Sequence, residues 1–209
     1  LSRATILVQD WEDGISIEEA ATWQQSDRNA AGAALIRRFL RQTLREGLVH
    51  GDPHPGNFRF RREASGMTIV QYDHGCMIDI NAHLASALRL LVIGACTHRG
   101  DPLALLAAVG FDPVKLAPIA TRLPRVLEIL LHPFAVPGPC TSVNWHPAQQ
   151  LAAELGPDRW WFRAAGTPDQ FLMTRAFGGL VRQLHRLSAT VDWAECWADA
   201  LDEQLPAAT

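Results

Sequence analysis

Lysine is nearly missing from this chain. Lys115 is the only one, and the rest of the positive charge is arginine. Any chemistry that needs a positioned lysine therefore has a single candidate. Four cysteines, Cys76, Cys96, Cys140 and Cys196, lie far apart without a C-x-x-C pair. That spacing excludes the usual zinc frameworks and gives no disulfide scaffold, so a reduced, cytoplasmic setting is expected. No run approaches the ~18 apolar residues that cross a bilayer. The best candidate, 84–97, is broken by Arg89 and reads as a buried helix. A net charge of −3 offers no concentrated basic face, which argues against nucleic acid as a partner. What is present is a chain of 209 residues that is 48% hydrophobic, enough for a substantial core. It opens at Leu1 without a Met, a signal peptide or a basic leader, which suggests a fragment or a processed product.

The local signals run from a short strand to helices, then to a loop with a hairpin, then to helices again. Residues 5–9 are β-like and end at the Asp13-Gly14 turn. Ser16-Ile-Glu-Glu19 has the form of a capping box, so a short helix should follow. Ala31, Leu35, Phe39, Leu40 and Leu44 recur at helical spacing over 28–46, with Gly47 as the expected C-cap. His50 to Asn57 is too rich in Gly and Pro for regular structure. A hairpin is expected from 58–60 and 67–72. Beyond Asp79 the chain reads as helical. Asp101-Pro102 opens one helix, and 114–131 forms another, with an irregularity at Pro118 or Pro124. A loop is expected over 132–147. A long helix should start at Thr167-Pro168, and a last one, capped by Asp192, should run to about Leu205.

The chemistry concentrates in His50-Gly-Asp-Pro-His-Pro-Gly-Asn57 and Tyr72-Asp-His-Gly75. Phosphoryl transfer asks for a carboxylate near the attacking oxygen and hard oxygen ligands that hold Mg²⁺ on the phosphates. Asp52 and Asn57 sit on one stiffened loop. The hairpin brings Asp73, at the end of a strand, beside Asn57. A Gly/Pro-rich loop with a stray Asp and Asn is common; the whole eight-residue run followed by a strand and Asp-x-Gly is not.

The pattern is H-x-D-x-x-x-x-N followed by D-x-G, that of the protein-kinase catalytic core. Its wording resembles the UbiB/AarF family of atypical kinases, and also the aminoglycoside- and choline-type small-molecule kinases. Leu7 to Gly14, Arg99 to Gly110 and Phe171 to Leu187 favour the UbiB/AarF type. The resemblance implies a mainly α (α+β) fold: the C-terminal lobe of a protein-kinase-like protein with a hinge strand and a small β-hairpin. Its parts would be a hinge segment (1–14), catalytic and metal-binding loops (50–75) and a helical subdomain (80–209). By position it makes Asp52 the catalytic-base equivalent and Asn57 and Asp73 the metal ligands. His54 stands where a phosphate-neutralising lysine is usual, and His50 is structural. The backbone of Gln9, Asp10 and Trp11 would face adenine. The cofactors implied are ATP and Mg²⁺. The implied partners are a small-molecule or lipid-like acceptor, an N-terminal lobe of the same protein, and a peripheral membrane contact in isoprenoid-quinone biosynthesis.

Two departures stand out. The metal turn reads Asp-His-Gly, with a polar His74 where an apolar ring normally packs. There is also no glycine- or alanine-rich nucleotide loop, no K-x-G-Q segment and no strand lysine, since Lys115 lies in a later helix. These leave two other readings open, a small-molecule kinase and a non-catalytic scaffold. The first would build an acidic pocket from later helices, which offer little beyond Glu154, Asp158 and Asp169. The remaining histidines, His74, His83, His98, His132, His146 and His185, show no ligand spacing. Arg175 reads as one half of a structural ion pair. Trp160-Trp161-Phe162 reads as an anchor onto the helical core, with a lipid groove as the alternative. Asp79 and Asp101 read as a loop acid and a helix cap.

Overall fold

The structure, a computed structural model, describes residues 5, 6, 8 and 10–206. Residues 7 and 9 of the strand expected at 5–9 lie outside these residues. Ser16 caps α1 (Ile17–Ala20) with the capping box closed in both directions, Ser16 Oγ on Glu19 N–H and the Glu19 carboxylate on Ser16 N–H. The two hydrogen bonds from Ser16 hold the Glu19 carboxyl below its ordinary range. Next comes α2 (Gln25–Arg41), which loosens into a π-turn over Gln42–Glu46 and stops at Gly47, whose φ of 72° is the left-handed form that glycine adopts freely.

β1 (Leu48–His50) pairs antiparallel with β4 (Met77–Asp79), His50 opposite Met77. Between them, β2 (Phe58–Glu63) and β3 (Gly66–Gln71) form the expected hairpin, with Phe58 opposite Gln71. Two nested antiparallel ladders therefore bracket residues 50–57 and 72–76. The sequence reading contained the inner ladder and missed the outer one, because three-residue strands 27 positions apart leave no local signal.

α3 (Ala82–Thr97) starts at an Asn81 cap and α4 (Pro102–Ala108) at Asp101, as expected. The stretch expected as one helix from 114 is three pieces: α5 (Pro113–Leu116), a 3₁₀ turn (Ala117–Arg122) containing Pro118, and α6 (Leu123–Ala135). α6 continues past His132, so the expected 132–147 loop begins only at Val136; β5 (Cys140–Thr141) then pairs with β6 (Thr190–Val191). The reason is specific. Pro133 sits inside α6 and takes the amide donor from the Ile129 carbonyl. The Trp145 indole N–H donates to that carbonyl at 2.9 Å instead, so the helix survives its proline.

α7 (Pro147–Leu155) and α8 (Arg159–Ala165) follow. α9 (Pro168–Leu187) starts at the Thr167 capping box, and α10 (Trp193–Leu201) ends four residues before the expected Leu205. The mainly α, α+β class holds. α2 lies between α9 and α10 in the largest core cluster, which gathers Leu35, Ile36, Leu184 and the rings of Phe134, Trp145, Trp193 and Trp197. Each such side chain contributes about 1.5–3 kcal/mol by leaving water. A second cluster binds α4 to α8 through Leu116, Ile119, Leu123 and Leu155. A third, of Val49, Ile78, Ile80, Ala85 and Ala176, fixes the outer ladder against α3 and α9. All four cysteines are free; burial pushes the Cys96 thiol up to about 11 and Cys196 up to about 12.

Candidate active site

His50 is the hinge of the site. It ends β1, is buried, and its ring spans the two acidic turns. Its Nδ1 accepts the Asp52 N–H at 3.1 Å, and its Nε2 contacts the Asp73 carbonyl at 2.8 Å. A backbone amide only donates and a carbonyl only accepts. The ring is therefore the neutral imidazole with its proton on Nε2. This matches its reading as a structural histidine.

The two turns meet at further points. Tyr72 N–H donates to the Asn57 carbonyl at 2.8 Å, extending the β2–β3 ladder one step and putting Asp73 next to Asn57. Gly51 N–H donates to the Cys76 carbonyl at 2.7 Å. Asp73 has a φ of 54°, a left-handed form that costs a non-glycine residue energy. Its Oδ1 accepts the Gly75 N–H at 3.0 Å, a local turn that offsets the strain. Asp73 stays exposed, and among the described residues no Arg or Lys pairs with it.

Asn57 Nδ2 donates to the Asp52 carbonyl (3.4 Å) and to Asp52 Oδ2 (3.0 Å). The amide hydrogens are used inside the loop, so Oδ1 is the atom Asn57 can offer a cation. Asp52 has a second partner: Arg175 of α9 donates to its Oδ1 at 3.1 Å. Arg175 does form an ion pair, and the partner is the candidate base itself. His54 caps the Pro55–Asn57 turn through Nδ1, which accepts the Gly56 N–H at 3.0 Å; only its Nε2 remains to meet a phosphate.

The segment before α1 runs beside this hairpin. Ile15 bridges Phe60, and Arg61 pairs with Glu12 at 2.8 Å. Trp11 stacks on Tyr72 with 6.3 Å between ring centroids, while Tyr72 Oη hydrogen-bonds the Glu12 carbonyl. Trp11, stacked on Tyr72, and Asp10 are exposed, and Gln9 lies outside the described residues. His74 is also exposed, its Nδ1 3.3 Å from Gln71 Nε2, so its ring does not fill the interior place of an apolar residue.

Beneath the loop is a small cavity of about 20 Å³ lined by Arg38, His50, Pro53, Phe58 and Gln183. Arg38 lies over the Phe58 ring at 5.1 Å, and burial lowers its pKa to about 10 against the raising influence of Glu46. Arg38 and Gln183 had no place in the sequence reading. Gly179 had none either, although residues 175, 179 and 183 repeat every fourth position of α9 and share one face. Trp160 and Trp161, on α8, are exposed; only Phe162 packs inward, against Phe111 at 5.1 Å.

Two oxygens, Asn57 Oδ1 and an Asp73 carboxylate, suit a magnesium ion that keeps waters and phosphate oxygens as its other ligands. Among the described residues no group of three His, Cys, Asp or Glu side chains could hold a metal alone. The donor set fits an ion delivered with a nucleotide and does not resemble a closed metal cage.

A carboxylate, an amide oxygen and a second carboxylate thus lie on two turns joined by a buried histidine. Comparison with known proteins narrows the class. Residues 1–101 match the family model of the ABC1 atypical kinase-like domain. The chain is 29% identical over 106 residues to Protein ACTIVITY OF BC1 COMPLEX KINASE 8, chloroplastic, of Arabidopsis thaliana, a stretch that covers 50% of this chain and 14% of that protein. It is 36% identical over 63 residues to a Putative ABC transporter A445L of Paramecium bursaria Chlorella virus 1, covering 29% of this chain and 13% of that one. Over residues 1–101 the chain is thus similar to the ABC1 atypical kinase-like domain, in keeping with the UbiB/AarF wording of the motifs. The chain matches only about a seventh of the length of these relatives.

Proposed function

We propose that residues 50–75 form the catalytic and metal-holding half of an atypical kinase or ATPase that works on Mg-ATP. The observation that carries this reading is the His50 ring, bonded at once to the Asp52 amide and the Asp73 carbonyl. It fixes two acidic turns at one depth, as a site that must hold a metal-bound phosphate beside an acceptor requires. In this reading Asn57 Oδ1 and the Asp73 carboxylate hold Mg²⁺, which when bound neutralises charge on the phosphates. Asp52 orients the acceptor hydroxyl or water, and His54 Nε2 faces the phosphates. The backbone of Asp10 and Trp11 would lie along adenine, next to the Trp11–Tyr72 stack. The parts this sequence lacks, a nucleotide-covering loop and a strand lysine, would come from another lobe of the same protein. The acceptor is a small or lipid-like molecule, with isoprenoid-quinone biosynthesis at a membrane surface as the setting.

One observation favours a non-catalytic module instead: Arg175 occupies Asp52 Oδ1. Turnover decides between the two. Mg-ATP hydrolysis by the full-length protein that is lost in Asp52→Ala supports catalysis, and hydrolysis that persists in that variant rules out Asp52 as the acceptor-side carboxylate. An acidic pocket of the aminoglycoside type has less support, because Asp158 is engaged by Arg122 at 3.3 Å.

A further inference from the structure

We infer that α9 is the floor of the 50–57 loop and that Arg175, near the middle of the helix, is a positioning residue for Asp52. The inference rests on the reading of Asp52 given above. α9 lies wholly beyond residues 1–101, so the family match assigns it no role. Three residues on one face of this helix meet the loop in succession. Arg175 donates to Asp52 Oδ1 at 3.1 Å. Gly179 receives Pro53 so closely that a Cβ at 179 would lie 1.7 Å from Pro53 Cβ. Gln183, buried, lines the cavity under His50 and Pro53.

The effect is to fix Asp52 from four sides. His50 takes its amide, Asn57 takes its carbonyl and Oδ2, and Arg175 takes Oδ1. Each carboxylate oxygen has two lone pairs, so Oδ1 can receive Arg175 and still accept a bond from an acceptor hydroxyl. The guanidinium thus selects the rotamer of Asp52 without closing it off. Arg175 and Asp52 side chains are 56% and 32% exposed. An ion pair this open contributes little to folding, so its use lies in orientation.

The test is steady-state Mg-ATP hydrolysis by the full-length protein with Arg175→Gln, Arg175→Lys and the control Gly178→Ala, alongside thermal melts. Misorienting an acceptor-side carboxylate costs on the order of 10-fold or more in kcat. Arg175→Gln is therefore expected to lose about that factor in kcat with KM for ATP nearly unchanged, because Asn57 and Asp73 are untouched. Arg175→Lys should recover most of the loss, and Gly178→Ala should match the wild type. Wild-type kcat in Arg175→Gln would overturn the inference. So would a KM that rises in step with falling kcat, or failure of Arg175→Lys to recover activity; either would make Arg175 a general prop of the loop. Absence of any turnover in the wild type would instead overturn the kinase or ATPase reading beneath it.

Discussion

Gly179 lies flat against Pro53, with no room between helix α9 and the 50–57 loop for even a methyl group. One residue later in the sequence of contacts, the same helix face supports the cavity under His50. The position of the site therefore depends on a helix more than a hundred residues away along the chain.

That contact gives a paired prediction. Alanine normally stabilises a helix interior relative to glycine by about 1 kcal/mol. At Gly178, where a Cβ would meet only Arg182 Nη1 at 3.5 Å, Gly178→Ala should raise stability. At Gly179 the same change drives a methyl into Pro53 and should cost about 1–3 kcal/mol, as overpacking does. Denaturant midpoints of the two variants check this, and the opposite signs are the result to look for.

His50 carries the junction of the two turns. His50→Leu keeps the bulk but leaves the Asp52 N–H and the Asp73 carbonyl without their partner. Both groups are only part-buried, so stranding each costs up to about 1–3 kcal/mol. A lower melting temperature is expected, together with faster amide hydrogen exchange over 50–57 and 72–76. Exchange confined to one turn would show that the ring does not couple them.

Much of the local architecture was legible in the chain. Ser16 with Glu19, Asp101-Pro102, Thr167-Pro168, Asp192 and Gly47 act within one turn of backbone, so their signals survive in sequence. The β2–β3 hairpin could be read for the same reason. The candidate residues Asp52, Asn57 and Asp73 stood out as a motif, and the hairpin register shows how the turns that carry them are brought side by side. What escaped was set by distance. The β1–β4 pair joins short strands, and the Arg175–Asp52 pair spans 123 positions. Neither has a periodicity to betray it.

The helix that ran further than expected offers its own check. Pro133 removes a donor from Ile129, and the Trp145 indole replaces it. Trp145→Phe should destabilise by about 1–3 kcal/mol through the stranded carbonyl, beyond its small change in volume. With Pro133→Ala in place, the helix regains its own donor and the same substitution should cost less. Equal costs in the two backgrounds, read by a double-mutant cycle, would contradict this explanation of α6.

In the proposed function Asn57 and Asp73, on two adjoining turns, would hold a nucleotide-bound magnesium ion. The direct measurement is calorimetric titration of ATP into the full-length protein with and without Mg²⁺, for the wild type and for Asp73→Asn. The account predicts that the wild type binds ATP more tightly with Mg²⁺ present and that Asp73→Asn loses this dependence while its melting curve stays close to the wild type. A magnesium dependence that survives in Asp73→Asn would contradict it.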